Sequence, residues 1–250
     1  MIDFVRKTKG VSFKQAVAEL TGKAQFDTQE IVKNKNIRPT PKKKKFEETL
    51  AKQIWESTQP LEGTLGEVYL KERNCWLPPD NSHLRFIPEL TYPLSPHKGE
   101  KFPALIGLVT HAITQEPLTI RQIFLSKDGK GKAPVKVQKI NFKDLPASEG
   151  VIRLVADDDV FDTLTIAEGV ETALTAFMAA PPVWATGDSS NLSKLPVIGR
   201  VNDLLIIADN DEAGKRASET CATRWTDANK KVKIYTPEQK GEDLNDEVAA

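Results

Sequence analysis

Only two cysteines, Cys75 and Cys221, occur in the 250 residues, too few for a disulfide framework or for a thiolate zinc site with its paired spacing. Histidine is equally scarce, with His83, His97 and His111 scattered along the chain, so no zinc is expected. Long apolar runs are missing: no stretch approaches the roughly 20 apolar residues that a membrane span requires. The N-terminus lacks the basic start and apolar run of a secretory signal. No membrane association is therefore expected, and the cytoplasm is the expected compartment. There is no Gly-x-x-x-x-Gly-Lys-Ser/Thr loop, so no P-loop motor is expected. No internal repeat is visible, and apart from one lysine run no tract is of low complexity.

Net charge is also absent, with 35 Lys+Arg against 35 Asp+Glu, yet the charges are not evenly spread. Residues 1–45 hold 12 basic against 4 acidic side chains, a balance of +8, while residues 154–250 hold 9 against 18, a balance of −9. Such polarity fits a chain that grips a phosphate backbone at one place and a divalent cation at another, and it fits equally a basic tail and an acidic solvated surface. The basic excess peaks in Lys42-Lys43-Lys44-Lys45, where Pro39 and Pro41 interrupt regular structure. This composition describes a basic linker, read either as a solvated spacer or as a non-specific phosphate contact.

The remainder alternates recognisable elements. Helices are expected over 13–21, with Ser12 as N-cap, then over 46–57 and 65–73. Between 84 and 140, apolar runs such as Ala104-Leu105-Ile106-Gly107-Leu108-Val109 and 118–125 alternate with turn residues, as strands do. The tip Ser126-Lys127-Asp128-Gly129-Lys130-Gly131-Lys132 reads as a flexible basic loop. After Asp159 the rhythm becomes strand, helix, strand, helix, with strands expected over 163–167, 183–185, 203–208 and 232–235 and helices over 170–179 and 212–228. That order predicts an α/β fold with a parallel sheet flanked by helices.

Acidic residues cluster where these strands end. Leu164-Thr165-Ile166-Ala167 runs into Glu168-Gly169, and Leu204-Leu205-Ile206-Ile207-Ala208 runs into Asp209-Asn210-Asp211. Ligand sites of open α/β sheets lie at that edge. Asp-Asn-Asp alone is equally a turn and helix cap. Joined to the strand-end glutamate and to Gly241-Glu242-Asp243-Leu244-Asn245-Asp246, it suggests a carboxylate cluster that repels itself unless a cation neutralises it. Oxygen ligands without Cys or His favour Mg²⁺ or Mn²⁺.

These motifs resemble the Toprim family of bacterial-type primases, type IA and type II topoisomerases and several nucleases. Glu168-Gly169 is similar to its glutamate motif, Asp209 and Asp211 to its Asp-x-Asp motif, and Asp243 with Asn245 to the late motif of primases. The run Glu168-Gly169-Val170-Glu171-Thr172-Ala173-Leu174 resembles primase-like proteins of phages, plasmids and integrated elements. That likeness continues upstream through residues 66–73, 84–86, 102–105 and Arg121. Residues 1–21 resemble the tail of a primase zinc-binding module without its Cys/His ligands.

The resemblance implies four segments: a module remnant (1–24), a basic linker (25–45), a smaller α+β primase-type subdomain (46–155) and a Rossmann-like Toprim domain (156–250). It implies Glu168, Asp209 and Asp211 as catalytic residues, joined by Asp243 as ligands of Mg²⁺ or Mn²⁺. Arg121, Lys130, Lys132 and Arg153 are the candidates for steering nucleic acid or nucleotide. The implied activity is RNA primer synthesis on single-stranded DNA from nucleoside triphosphates, alongside a separate replicative helicase. A Toprim nuclease and a non-catalytic nucleic-acid-binding derivative remain the alternatives. A topoisomerase would need a nucleophilic tyrosine, and Tyr69, Tyr92 and Tyr235 lie in stretches that read as core or loop.

Overall fold

The computed structural model describes residues 45–238, apart from 143, 144 and 146, and also Leu244. The expected module remnant, the linker up to residue 44, and Asp243 and Asn245 of the late motif lie outside the described residues. Lys43–Ala250 forms one compact unit, distinct from Met1–Lys42.

After a 3-10 turn at Phe46–Glu48, helix α1 (Leu50–Glu56) and helix α2 (Leu65–Glu72) precede five strands: β1 (Leu84–Thr91), β2 (Lys101–His111), β3 (Pro117–Phe124), β4 (Lys139–Asn141) and β5 (Gly150–Arg153). The parallel half follows as β6 (Thr163–Ala167), α3 (Val170–Ala176), β7 (Val183–Ala185), α4 (Ser189–Lys194), β8 (Asp203–Ile207), α5 (Glu212–Asp227) and β9 (Lys231–Tyr235). The strand-helix rhythm read from the sequence is therefore the architecture found. Helix α4, strand β4 and strand β5 are additions to that reading; they are too short to show a periodic signature.

All nine strands form one mixed sheet in the order β4-β3-β2-β5-β7-β6-β8-β9, with β1 also paired to β2. The first half is antiparallel, and β6 pairs in parallel with both β7 and β8, as β8 does with β9. Strand β2 joins the halves. β3 occupies one of its edges, while β1 and β5 share the other, β1 against residues 101–107 and β5 against residues 109–111. This explains the unbroken apolar run in β2. Leu105 and Val109 enter the core beneath α2 and α3, and Ala104, Ile106 and Leu108 enter a second core with Phe46 and Ala51. A strand buried on both faces shows a continuous apolar run instead of alternation.

The parallel strands divide in the same way. Leu164 and Ile166 of β6, with Leu204 and Ile206 of β8, pack against Leu192 of α4 and Ala217, Cys221 and Trp225 of α5. Ala167 and Ile207 pack on the opposite side with Val170, Ala173 and Leu174 of α3. Helix α5 is rich in good helix formers and carries Glu212 in its first turn and Arg224 in its last, matching the macrodipole at both ends. Among the described residues no helix is long and apolar enough to cross a membrane. Tyr69 and Tyr92 are buried core residues.

Arg153 staples the two halves together. It is 2% exposed. Its Nε donates to Asp157 Oδ1 at 3.0 Å, its Nη2 to the Ala112 carbonyl at 2.9 Å, and its Nη1 to Thr110 Oγ1. The guanidinium lies 4.5 Å from the centroid of Trp184 on β7. One side chain thus satisfies groups at the end of β2, covers β7 and pairs with the segment after β5. Removing Arg153 from this network leaves the buried Thr110 and Ala112 acceptors unsatisfied and Asp157 with Arg200 as its remaining ion-pair partner. Arg153→Met, which keeps the volume, should lower the unfolding free energy by about 3–5 kcal/mol in urea titrations; a loss below about 1 kcal/mol would assign the staple elsewhere.

Candidate active site

Strands β6 and β8 are neighbours whose continuations part company, since β6 leads through α3 to β7 and β8 leads through α5 to β9 on the other side. Such a reversal opens a crevice at the carboxyl ends of the strands. Ala167 is paired with Ile207, so Glu168 lies one residue and Asp209 two residues past the last paired rung. The parallel register alone brings both acids to the same opening.

Local geometry then fixes each of them. Gly169 is the N-cap of α3, directly after Glu168. Asp211 caps α5, its Oδ1 accepting from the Gly214 backbone N–H at 2.7 Å. Asn210 turns inward, buried, and donates to the Pro237 carbonyl at 2.8 Å, fastening the chain that leaves β9. The turn also needs glycine at 214, where a Cβ would stand 2.6 Å from the Asp209 carbonyl oxygen and 3.2 Å from its amide nitrogen. Backbone atoms cannot swing aside as a flexible side chain would.

A fourth acid joins from a third strand end. Gly187, at φ +82°, turns the chain after β7, and its N–H donates to the Glu168 carbonyl at 2.9 Å. Asp188 follows, capping α4 through the Asn191 N–H at 2.9 Å. It escaped the sequence reading because α4 is only six residues long; the signal available was an acid directly after a short apolar strand and a glycine. Glu168 feels all of these neighbours. Burial raises its pKa first, the Asp209, Asp188 and Asp211 charges raise it further, and together they outweigh the Ser189 backbone N–H and carry it to about 7.

Facing the acids is a basic wall from the antiparallel half. A cleft of about 70 Å³ is lined by Arg121 and Lys139 on that side and by Glu168, Glu171 and Asp209 on the other. Arg121 Nη1 donates to Asn141 Oδ1 at 2.7 Å, and Asn141 Nδ2 donates to Asp188 Oδ2 at 3.2 Å, so the guanidinium is tethered across the opening. Burial lowers the Arg121 pKa, against the pull of Asp188, Glu168 and Glu171. Glu171, in the first turn of α3, pairs with Lys139 at 3.0 Å and Lys132 at 3.4 Å.

The structure thus brings Glu168, Asp209 and Arg121 to one cleft, keeps Asp211 near enough for its charge to act on Glu168, and seats Lys132 beside the cleft through Glu171. Lys130 stays exposed at the tip of the 126–132 segment. That segment is a tied turn and not the loose loop expected, because Ser126 Oγ donates to Asp128 Oδ1 at 2.6 Å and a bridge pairs Leu125 with Lys132. Arg153 corrects the sequence reading outright: buried and hydrogen-bonded as described, it has no surface to offer a nucleic acid. Asp243 lies outside the described residues.

The donor chemistry fits a hard divalent cation, being all carboxylate oxygen, and Glu168, raised first by burial and then by the neighbouring carboxylates, carries a penalty that a cation would relieve. The spacing is more open than the sequence suggested. Among the described residues no three His, Cys, Asp or Glu side chains stand close enough to hold a metal ion together.

Comparison with known proteins agrees with the motif reading. Residues 163–250 match the family model described as the Toprim domain, and residues 45–154 match a domain of unknown function, DUF7146. The chain therefore carries a C-terminal Toprim domain, holding Glu168, Asp209 and Asp211. Among solved structures it is similar to the Aquifex aeolicus primase zinc-binding and RNA polymerase domains, at 15% identity and a TM-score of 0.49, over 99% of this chain and 66% of that one. It is also similar to the DnaG catalytic core, at 12% identity and 0.49, over 76% of this chain and 70% of that one. The primase fragment of the bacteriophage T7 primase-helicase protein matches at 14% identity and 0.42, over 58% and 57%. No curated protein matches in sequence.

Two outcomes follow from this geometry. Gly→Ala inside a helix ordinarily stabilises by about 1 kcal/mol, but at Gly214 the backbone clash reverses the sign, and Gly214→Ala should lower stability by about 1–3 kcal/mol in denaturant unfolding. For Glu168, the ordinary carboxyl pKa is 4.5 and the folded value about 7. Between those pH values the unfolded chain releases its proton and the folded chain retains it, so rising pH favours unfolding until the folded group also ionises. Glu168→Gln removes that penalty. In chelator, it should match the parent near pH 4 and exceed it by about 1–3 kcal/mol near pH 8; an unchanged difference at the two pH values would mean that neither burial nor the neighbouring carboxylates raise the Glu168 pKa.

Proposed function

We propose that this chain is a primase-type nucleotidyltransferase that builds RNA primers on single-stranded DNA in the cytoplasm, in the service of a mobile genetic element. The observation that carries this reading is the facing of two charge types across one cleft, Glu168 and Asp209 on one wall and Arg121 and Lys139 on the other. A nucleoside triphosphate with a divalent cation needs both.

Glu168, Asp209 and Asp211 would supply the carboxylates for Mg²⁺ or Mn²⁺, with Asp243 assisting; their present spacing does not let all three reach one ion, so binding would draw them closer, and the bound cation supplies positive charge against the negative charge that develops in phosphoryl transfer. As the alternative to ligating the cation, Glu168, held near neutrality by its surroundings, would accept the proton of the attacking 3′-hydroxyl, because a base works best with a pKa close to the working pH. Arg121 and Lys132 bind triphosphate oxygens, and exposed Lys130 contacts the template backbone through charge alone. A replicative helicase, as a separate protein, would deliver the single strand.

Incubation with single-stranded DNA, ribonucleotides and Mg²⁺ or Mn²⁺ tests the reading. Labelled oligoribonucleotides are expected. Shortened DNA would identify a nuclease, and a gel shift with neither product would identify a binding protein. The Asp209→Asn, Asp211→Asn double variant should keep its circular dichroism spectrum and lose at least about 1,000-fold in rate, as removal of electrostatic transition-state support does; retained synthesis would overturn the site assignment.

A further inference from the structure

Glu171 stands three residues after Glu168, and its surroundings are unlike those of Glu168. It sits on α3 among Val170, Ala173 and Leu174 of the core, with its side chain 1% exposed. Tyr69, buried on α2, donates its hydroxyl to Oε1 at 2.9 Å. Lys139 donates to Oε2 at 3.0 Å, and Lys132 reaches Oε1 at 3.4 Å. The lysines come from the turn after β3 and from β4, and their side chains are 26% and 31% exposed, so each is anchored through its ammonium and still partly open to solvent. Burial alone would raise the Glu171 pKa, but Lys139 and Lys132 prevail and hold it at about 2.

One carboxylate against two ammoniums leaves a net positive charge, and Arg121 lines the same cleft. An apolar side chain at position 171 would serve the core as well as a buried ion pair does. What it could not do is hold two long flexible lysines in one place. Lysine loses rotamer freedom when fixed, so an anchor that fixes both before a ligand arrives transfers that loss from binding to folding.

We propose that Glu171 is a positioning residue that holds Lys132 and Lys139 as a paired receptor for the polyphosphate of a nucleotide at the rim of the acidic cleft. The identity of the ligand rests on the function proposed above; the pairing of the lysines does not. Glu171 touches no phosphate in this arrangement. It acts through the two ammoniums, each keeping donors for phosphate oxygens.

Calorimetric titration of the full chain with inorganic tripolyphosphate, in chelator and without template, tests this apart from catalysis. The parent should bind. Glu171→Gln, which preserves shape and an acceptor for Tyr69, should weaken binding about tenfold, the scale of one charge-assisted hydrogen bond. In a Lys132→Gln, Lys139→Gln background the same change should add less than about twofold, since the two sites act as one. A misfolded fraction lowers the number of sites and leaves the affinity of the folded molecules intact, so stability loss does not imitate the result. Absence of tripolyphosphate binding by the parent, unchanged or tighter binding by Glu171→Gln, or an equal Glu171→Gln effect without the lysines would each overturn the proposal. Tripolyphosphate binding in the expected pattern without primer synthesis would uphold the receptor and remove the primase reading; primer synthesis with unaltered Glu171→Gln affinity would do the reverse.

Discussion

Parallel pairing of β6 with β8 ties the acidic centre to the hydrophobic core. Five paired positions, from Thr163 opposite Asp203 to Ala167 opposite Ile207, set the register. A slip of one residue would turn Leu164, Ile166, Leu204 and Ile206 away from α4 and α5, because side chains alternate faces. The apolar residues therefore decide how far past the sheet edge Glu168 and Asp209 emerge. Burial of several large side chains, at about 1.5–3 kcal/mol each, is strong enough to impose a local arrangement that electrostatics alone would disperse.

Gathering Glu168, Asp188, Asp209 and Asp211 is unfavourable, and the molecule offsets it with ordinary structural bonds. Asp188 and Asp211 each cap a helix N-terminus, where a carboxylate gains both a hydrogen bond and a favourable dipole. The opposing basic wall belongs to the other half of the chain, and the continuous sheet through β5 sets the distance between the walls. Arg153 works at that joint. Its burial makes it useless for recognition and useful for alignment, since the cleft exists only while β3 and β4 stay in line with β6 and β8.

Much of this was legible in the sequence, for identifiable reasons. Apolar strands and an alanine-containing helix of 16 residues carry long patterns, and Glu168 and Asp209 stand directly after short, largely apolar runs, with Asp211 two residues further on, where position in the chain nearly determines position in space. Arg121 was reachable through its place in the family motif. Asp188 was hidden because β7 has three residues and α4 six. Arg153 was misjudged because a basic residue near other basic residues reads as surface; only the long-range contacts with Thr110, Ala112 and Trp184 show it buried. The role of Glu171 likewise depends on Tyr69, a residue 102 positions away.

Glu168 and Glu171 are the same chemical group less than one helical turn apart, and the fold drives them in opposite directions. Burial and three like charges carry Glu168 to about 7; two ammoniums hold Glu171 at about 2 despite deeper burial. Desolvation raises both, so the sign of the difference comes from the neighbours alone. A carboxyl poised near neutrality exchanges protons or responds to an arriving cation. One fixed as an anion does neither, and serves as a counter-charge. Two acids whose surroundings separate their pKa values in this way take separate tasks. The pair marks the line along which the cleft divides, with the parallel half supplying Glu168 and Asp209 and the antiparallel half supplying Arg121 and the lysines that pair with Glu171.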